Sequence, residues 1–336
     1  MDRLTARGRS LLRAIWLFLG LGALVLAGFT EKPQEEVGLA FDEPAGRMTV
    51  LVGGREALVY NYGDDLDLVH YWPMRSPSGK NMLVRKTEPY PHHRSFWFAD
   101  TVRPEGGERD VSFYNALYGG TKTEAGEYVP PFRDRIRHRS FRRLDARGGR
   151  ADIEAQLVWE MDGGRPVLDE RRRLVVHSMG EGEYLLDLTW TLTAAYGDVL
   201  FTSDDVHYAW PYLRLATAFS GEKGGRITSD TGAAGQEATN MKPALWIDYS
   251  NTVEGIPEGM AVFQWPDGRE HRWLTREYGT FGPRRPDDRS GKPFTLKKGE
   301  SITQRVGVLV HKGDVASGRV RERYEKYVKG VSRDEP

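Results

Sequence analysis

Cysteine is absent from all 336 residues. The chain therefore has no disulfide to brace a core, no thiolate nucleophile and no thiolate metal site, and its fold must rest on packing alone. Net charge is absent as well, because 48 Lys and Arg meet 48 Asp and Glu. No overall field draws the protein to nucleic acid or to anionic lipid, so nucleic acid is not an expected partner. There is no GxSxG elbow, no Walker loop, no GxGxxG after a strand and no HExxH. Serine hydrolase, nucleotide, dinucleotide and zincin chemistry are left without support. Helical periodicity is scarce until the C-terminus.

The N-terminus differs in kind from the rest. Arg3, Arg7, Arg9 and Arg13 precede an apolar run at 14–27, after which Glu31, Lys32, Glu35 and Glu36 restore polarity. A spanning helix needs about 20 apolar residues, and this run is shorter. Segment 1–29 reads as a secretory signal or an N-terminal membrane anchor. A periplasmic or secreted protein is the expectation, touching the membrane only through that segment. Leu26-Ala27-Gly28 lead into Phe29 and not into cysteine, which excludes lipidation.

From Gly38 onward the pattern is alternation. Tyr184, Leu186, Leu188, Trp190 and Leu192 fall on one face of a strand, with Asp187, Thr189, Thr191 and Thr193 on the other. Ile153, Ala155, Leu157, Trp159 and Met161 repeat the pattern, as do Ile302, Val306, Val308 and Val310, with Gln304 as the exception. Further strands are expected at 48–52, 57–62, 96–101, 168–177, 212–219, 245–250 and 260–264, separated by glycine-rich turns. These segments predict an all-β protein, a large antiparallel β-sandwich over 38–330 as a single domain, with one C-terminal helix. Asp314 can cap that helix, and Val320, Tyr324, Tyr327 and Val328 give it one apolar stripe, suited to a lid or an edge cover.

Two histidine groups stand in unusual company. Tyr90-Pro91-His92-His93-Arg94 runs into Phe96-Trp97-Phe98. Adjacent histidines on a regular strand would point to opposite faces, so both serve one site only if Pro91 holds a bend. Imidazole suits proton transfer near neutral pH, and Arg94 could hold a carboxylate or a carbonyl oxygen. The plainer reading makes one histidine a surface residue and the other a strand-end hydrogen-bond donor. The second group is Asp204-Asp205-Val206-His207-Tyr208. If extended, it puts Asp205 and His207 on one face, where the carboxylate can orient the imidazole; the plainer reading is a strand-end salt link. His70, His138, His177, His271 and His311 lack a partner pattern and read as structural or surface. No cofactor is required, although His92, His93, His207 and Asp205 would make a nitrogen and oxygen ligand set for a metal. Aromatics such as Tyr62 and Trp97 serve a core, but exposed faces of this kind also stack on sugar rings.

Several of these pieces together resemble the PmoA-like family of unknown function: Tyr60-Asn61-Tyr62-Gly63, Arg75-Ser76-Pro77-Ser78-Gly79, Pro91-His92-His93-Arg94 with its aromatic tail, Val206-His207-Tyr208, the run 293–300 and the terminal helix. The resemblance covers most of the chain after Val50. Trp72 stands where that family usually has histidine, and Asp205-Val206-His207-Tyr208-Ala209 where it has Glu-Tyr-His-Tyr-Gly. The family takes its name from an oxygenase subunit with several spanning helices, which this chain lacks. The resemblance implies a sandwich similar to the galactose-mutarotase-like supersandwich, a fold shared by sugar epimerases, lyases and hydrolases.

The reading that follows is an extracytoplasmic carbohydrate-active protein with a small-molecule or oligosaccharide ligand. His92, His93, His207 and Asp205 would be catalytic, as acid and base in an epimerase, lyase or hydrolase. Arg94, Tyr208, Tyr62 and Trp97 would bind substrate. A non-catalytic saccharide-binding envelope protein and a metal-dependent oxidoreductase are the alternatives.

Overall fold

Alternating burial organises the chain into sheets. In a computed structural model that describes residues 34–114, 121–126, 128–129, 131–202, 209–286, 289 and 291–331, two eight-stranded antiparallel sheets dominate. The first sheet runs in the order Val37–Asp42, Arg47–Val52, Arg55–Asn61, His70–Met74, Phe96–Trp97, Tyr212–Arg214, Thr280–Pro283 and Trp273–Thr275. The second runs Arg135–Arg147, Arg150–Met161, Arg165–Gly180, Glu183–Thr193, Ser301–Lys312, Ile256–Gln264, Trp246–Val253 and Arg226–Ser229. A four-stranded sheet adds Phe294–Leu296, Val199–Phe201, Thr101–Pro104 and Val111–Ser112.

The apolar faces meet between the sheets. Tyr184, Leu186, Leu188, Trp190 and Leu192 are all buried there, as are Ile153, Ala155, Leu157 and Trp159. Gln304, the polar break in its stripe, is also buried and donates to the Trp210 carbonyl at 2.7 Å. The architecture is thus the all-β sandwich that the alternation predicts. At the Tyr60–Gly63 turn, a Cβ on Gly46, whose φ is +59°, would lie 2.3 Å from the Gly63 Cα, so the chain can cross itself there only as glycine.

Three expectations need correction. The predicted strand at 96–101 divides: Phe96–Trp97 stays in the first sheet and Thr101–Pro104 joins the small one. Buried Asp100 causes the break by accepting from the Thr101 amide at 2.7 Å and from Trp210 Nε1 at 2.9 Å. The strand expected at 212–219 stops at Arg214 and passes into a 3₁₀ turn, Thr217–Phe219. Asp314 does not cap the terminal helix itself; its Oδ1 accepts from the Ala316 and Ser317 amides in a preceding turn, and the helix is Val320–Val331.

That helix covers a face and not an edge. Val320, Tyr324 and Tyr327 pack on Trp246, Ala261, Phe263 and Leu309 of the second sheet, on the side away from the main core. Among the described residues no helix is long and apolar enough to cross a membrane. Segment 1–29 lies outside the described residues.

Candidate functional site

Register decides what reaches the outer side of the first sheet. His70 pairs with Trp97 and Tyr71 with Phe96, while Tyr212 pairs with Trp97 and Leu213 with Phe96. Alternation puts Tyr71, Phe96 and Leu213 on one face of the sheet and His70, Trp97, Tyr212 and, two residues on, Arg214 on the other, where Trp97 and Tyr212 are likewise buried. The segment between Val84 and Ser95 folds over them. The Val84 amide donates to the Arg214 carbonyl at 3.0 Å, Ser95 Oγ to the Val84 carbonyl at 2.6 Å, and the Arg214 amide to the Ser95 carbonyl at 2.6 Å.

Inside that segment lies the bend that paired histidines require. The His93 amide donates to the Tyr90 carbonyl at 3.0 Å, closing a turn around Pro91 and His92. Both imidazoles then point to one side, with ring centroids 4.5 Å apart and planes at 72°. Tyr90 stacks on His93 at 5.0 Å, and Trp97 meets His93 at 5.3 Å. Tyr114 closes on His92 at 5.2 Å. His92, His93 and Arg94 are each below 5% exposed.

Charge in this cluster is unevenly matched. Arg94 donates from Nε to Asp67 Oδ1 at 3.2 Å, from Nη2 to Asp67 Oδ2, and from Nη1 to the Pro91 carbonyl at 2.6 Å. Burial opposes ionisation of Asp67, but the Arg94 guanidinium outweighs it and holds the carboxyl below its usual value. Arg85 Nη1 lies 3.4 Å from His70 Nε2 and its guanidinium stands 4.2 Å over the Trp72 ring. Arg214 sits 4.3 Å over the Tyr278 ring and donates to the Tyr278 carbonyl. Three guanidiniums therefore surround the imidazoles; Asp67 pairs with Arg94, while Asp65 and Glu222 act on Arg85 and Arg214 without a direct ion pair among the described residues.

The imidazoles respond by staying neutral. Burial, then the charges of His92, Arg214 and Arg94, pushes His93 down to about 2. Burial and Arg94 bring His92 to about 4. His70 is also brought to about 4, mainly by burial and against the Leu68 carbonyl that its Nδ1 contacts at 3.1 Å. A carbonyl only accepts, so Nδ1 carries the proton and Nε2 accepts from Arg85.

Three polar atoms in this cluster, His93 Nδ1, Trp97 Nε1 and Arg214 Nε, are buried with no hydrogen-bond partner among the described residues. Leaving such groups unmatched costs about 1–3 kcal/mol each, so a polar ligand that reached them would gain by supplying their hydrogen bonds.

The sequence-predicted residues are thus distributed unequally. His92, His93, Arg94 and Trp97 come together. Arg94 is engaged by Asp67 and Pro91 and does not stand open. Tyr62 belongs to a different aromatic group, 5.5 Å from Tyr60, 4.7 Å from His138 and 5.4 Å from Phe141, because its end of the strand borders the second sheet. Asp205, His207 and Tyr208 lie outside the described residues. His70, read as structural or surface, is part of the cluster, and so are Arg85, Arg214 and Tyr278, which no local motif marks. His271 and His311 are buried and bonded to Asp267 and Asp248. Among the described residues no group of three or more His, Asp or Glu is placed to hold a metal ion; of the conceivable ligands, Asp205 and His207 are not described.

A family model described as "Family of unknown function (DUF6807)" matches residues 47–325. Its description carries no oxygenase, and the PmoA-like name receives no support from it. No curated protein matches the chain in sequence. Among solved structures, the chain is similar to the GH36 α-galactosidase AgaB from Geobacillus stearothermophilus, with 10% identity and a TM-score of 0.44 over 84% of this chain and 42% of that one. The chain thus spans less than half the length of that enzyme. It is also similar to the galactose 1-epimerase from Lactobacillus acidophilus NCFM, with 9% identity and a TM-score of 0.34 over 83% of this chain and 100% of that one.

Proposed function

For a chain that belongs to the family of unknown function DUF6807, we propose an exported carbohydrate-active enzyme that moves a proton on a sugar acid at the cluster of His92 and His93. The single observation that carries this reading is the set of neutral, buried imidazoles beside guanidiniums, with His93 Nδ1 and Arg214 Nε left unmatched. Guanidinium recognises carboxylate, and a neutral imidazole is the proton-accepting form at neutral pH. Burial is the main cause that holds these imidazoles low, and a bound carboxylate would offset the lesser, cationic contribution and so strengthen the base when substrate is present.

The step is abstraction of the proton next to the sugar carboxylate. The imidazole takes that proton, the C–H electron pair moves into the carboxylate as an enediolate, and the guanidiniums stabilise the added charge. Return of a proton to the other face gives epimerisation, and departure of the substituent one carbon further gives elimination. Glycoside hydrolysis usually requires two carboxylates across the bond, and Asp67 is bound to Arg94. Buried, convergent histidines also favour catalysis over an open, purely binding platform. Export rests on the arginine-led apolar segment 1–29.

The test is calorimetry and thermal shift with neutral, uronic and keto sugars on the wild type and on His92→Ala, His93→Ala and His207→Ala, followed by proton NMR of the bound sugar in heavy water. Stabilisation by a uronic sugar, lost in the histidine variants, with deuterium entering next to the carboxylate, is the expected result. Response to copper or iron without response to any sugar would replace this reading with the metal-dependent one.

A further inference from the structure

The outer face of the second sheet carries a different constellation. A groove of about 680 Å³ lies there, lined by Arg143, Arg150, Arg171, Arg173, Arg305 and Trp265 among others. Its floor is a row set by register: Arg143 pairs with Glu154, Glu154 with Arg173, Arg173 with Thr189, and Thr189 with Arg305. Cross-strand partners share a face, so these five side chains line up across five strands, about 19 Å at the usual inter-strand spacing. Gln156, Arg171, Thr191 and Thr303 form a second, parallel row.

The guanidiniums are held in place by one carboxylate on the same face. Asp152, 2% exposed, accepts from Arg173 at 2.9 and 2.7 Å, from Arg150 at 3.1 Å and from Arg143 at 3.3 Å. The side chains of Arg143, Arg150 and Arg173 nevertheless remain 56%, 37% and 42% exposed, so each presents donors to solvent. Arg171 is exposed and makes no ion pair or hydrogen bond among the described residues. Five guanidiniums, Arg143, Arg150, Arg171, Arg173 and Arg305, thus share the groove with four carboxylates, Asp152, Glu154, Asp187 and Asp267, and Arg171 is the guanidinium left without an ion pair among the described residues. At the far end Arg305 is matched by Asp187 at 2.8 Å and stands 4.3 Å over the Trp265 ring.

We propose that this groove binds an anionic glycan segment, whose carboxylate or ester-sulfate groups pair with Arg171, Arg173 and Arg143 while its hydroxyls bond to Thr189, Thr191 and Thr303. Crowding like charges costs free energy unless anions sit between them, and a buried carboxylate that fixes three forks in advance lowers the ordering cost of binding. Thr189 stands between Arg173 and Arg305 in the first row, and Thr191 and Thr303 follow Arg171 in the second, so hydroxyls lie beside the guanidiniums on the floor, as a ligand bearing both charge and hydroxyls requires. Nucleic acid would want open aromatic faces, and Trp265 is covered by Arg305 on its face and by Tyr327 edge-on at 5.6 Å. The site does not depend on the histidine cluster, which lies on the other sheet.

Binding of the full chain to a carboxylated oligogalacturonate, a sulfated heparin oligosaccharide, neutral dextran and a single-stranded oligodeoxythymidine tests this. Tight, salt-sensitive binding of an acidic glycan, no binding of dextran, and a loss of about tenfold or more on Arg171→Glu are expected, with the same loss when Arg171→Glu is made in a His93→Ala background, which removes any contribution of the histidine cluster. Preference between the two acidic glycans tells carboxylate from sulfate. Arg171 is exposed, so its variant folds even if Arg173→Ala does not. Binding unchanged in Arg171→Glu, no binding of either acidic glycan, or equal binding of the oligodeoxythymidine would overturn the proposal.

Discussion

His311 Nε2 lies 2.7 Å from Asp248 Oδ2, with both side chains fully buried. Burial alone would lower the histidine pKa, but the charge and hydrogen bond of Asp248 and the Lys312 carbonyl at 3.0 Å raise it above its ordinary value. A group whose folded pKa is raised contributes stability that is complete below the unfolded value, about 6.5, and that disappears as pH rises through the folded value. His311→Gln should therefore lower unfolding free energy by about 3 kcal/mol at pH 5.5, and by less at pH 9. Urea titrations at the two pH values check this; a deficit independent of pH would sink the ion-pair assignment.

The histidine cluster predicts the opposite dependence. His70 and His92 are lowered to about 4 and His93 to about 2, chiefly by burial. Below the unfolded value of about 6.5 the unfolded chain binds protons that the folded chain refuses, so stability falls as pH drops from there to about 4, by about 1.4 kcal/mol per pH unit for each histidine. His93→Gln should make the acid-side loss shallower in urea titrations between pH 6.5 and 4. Imidazole NMR signals of His92 and His93 titrating near 6.5 in the folded protein would refute this.

Legibility followed burial and locality. The strand Glu183–Thr193 was readable because one face is buried and the other is rich in threonine, so alternation is written into it. The strand Arg135–Arg147 escaped because it is an edge strand with mostly exposed side chains, so little alternation is written into it. Pro91-His92-His93-Arg94 was visible because a proline-held pair is a local feature. His70 and Arg214 were not, because they reach the cluster only through the pairings His70 with Trp97 and Tyr212 with Trp97, which join distant stretches of chain. Balanced net charge likewise concealed the arginines gathered on one face of the second sheet. Nothing in a charge total reports where register places its members.

Between the sheets, Arg172 Nε donates to Glu170 Oε1 at 2.6 Å, and Trp159 Nε1 donates to Glu170 Oε2 at 2.7 Å. Glu170 and Arg172, two residues apart on one strand, both point into the core, with 0% and 2% of their side chains exposed. Burial lowers the arginine pKa, but Glu170 and the rings of Tyr71 and Tyr60 more than restore it, so the charge persists. Glu170→Gln keeps an acceptor for Trp159 and removes only the countercharge. It should cost about 3–5 kcal/mol, because a guanidinium is left uncompensated in the core, while replacing both residues by methionine should recover most of that loss. A double-mutant cycle of Glu170→Met, Arg172→Met and the double methionine variant, by urea unfolding, measures the coupling. If the double variant loses as much as the two single variants added together, the pair carries no mutual stabilisation and its place in the core has another cause.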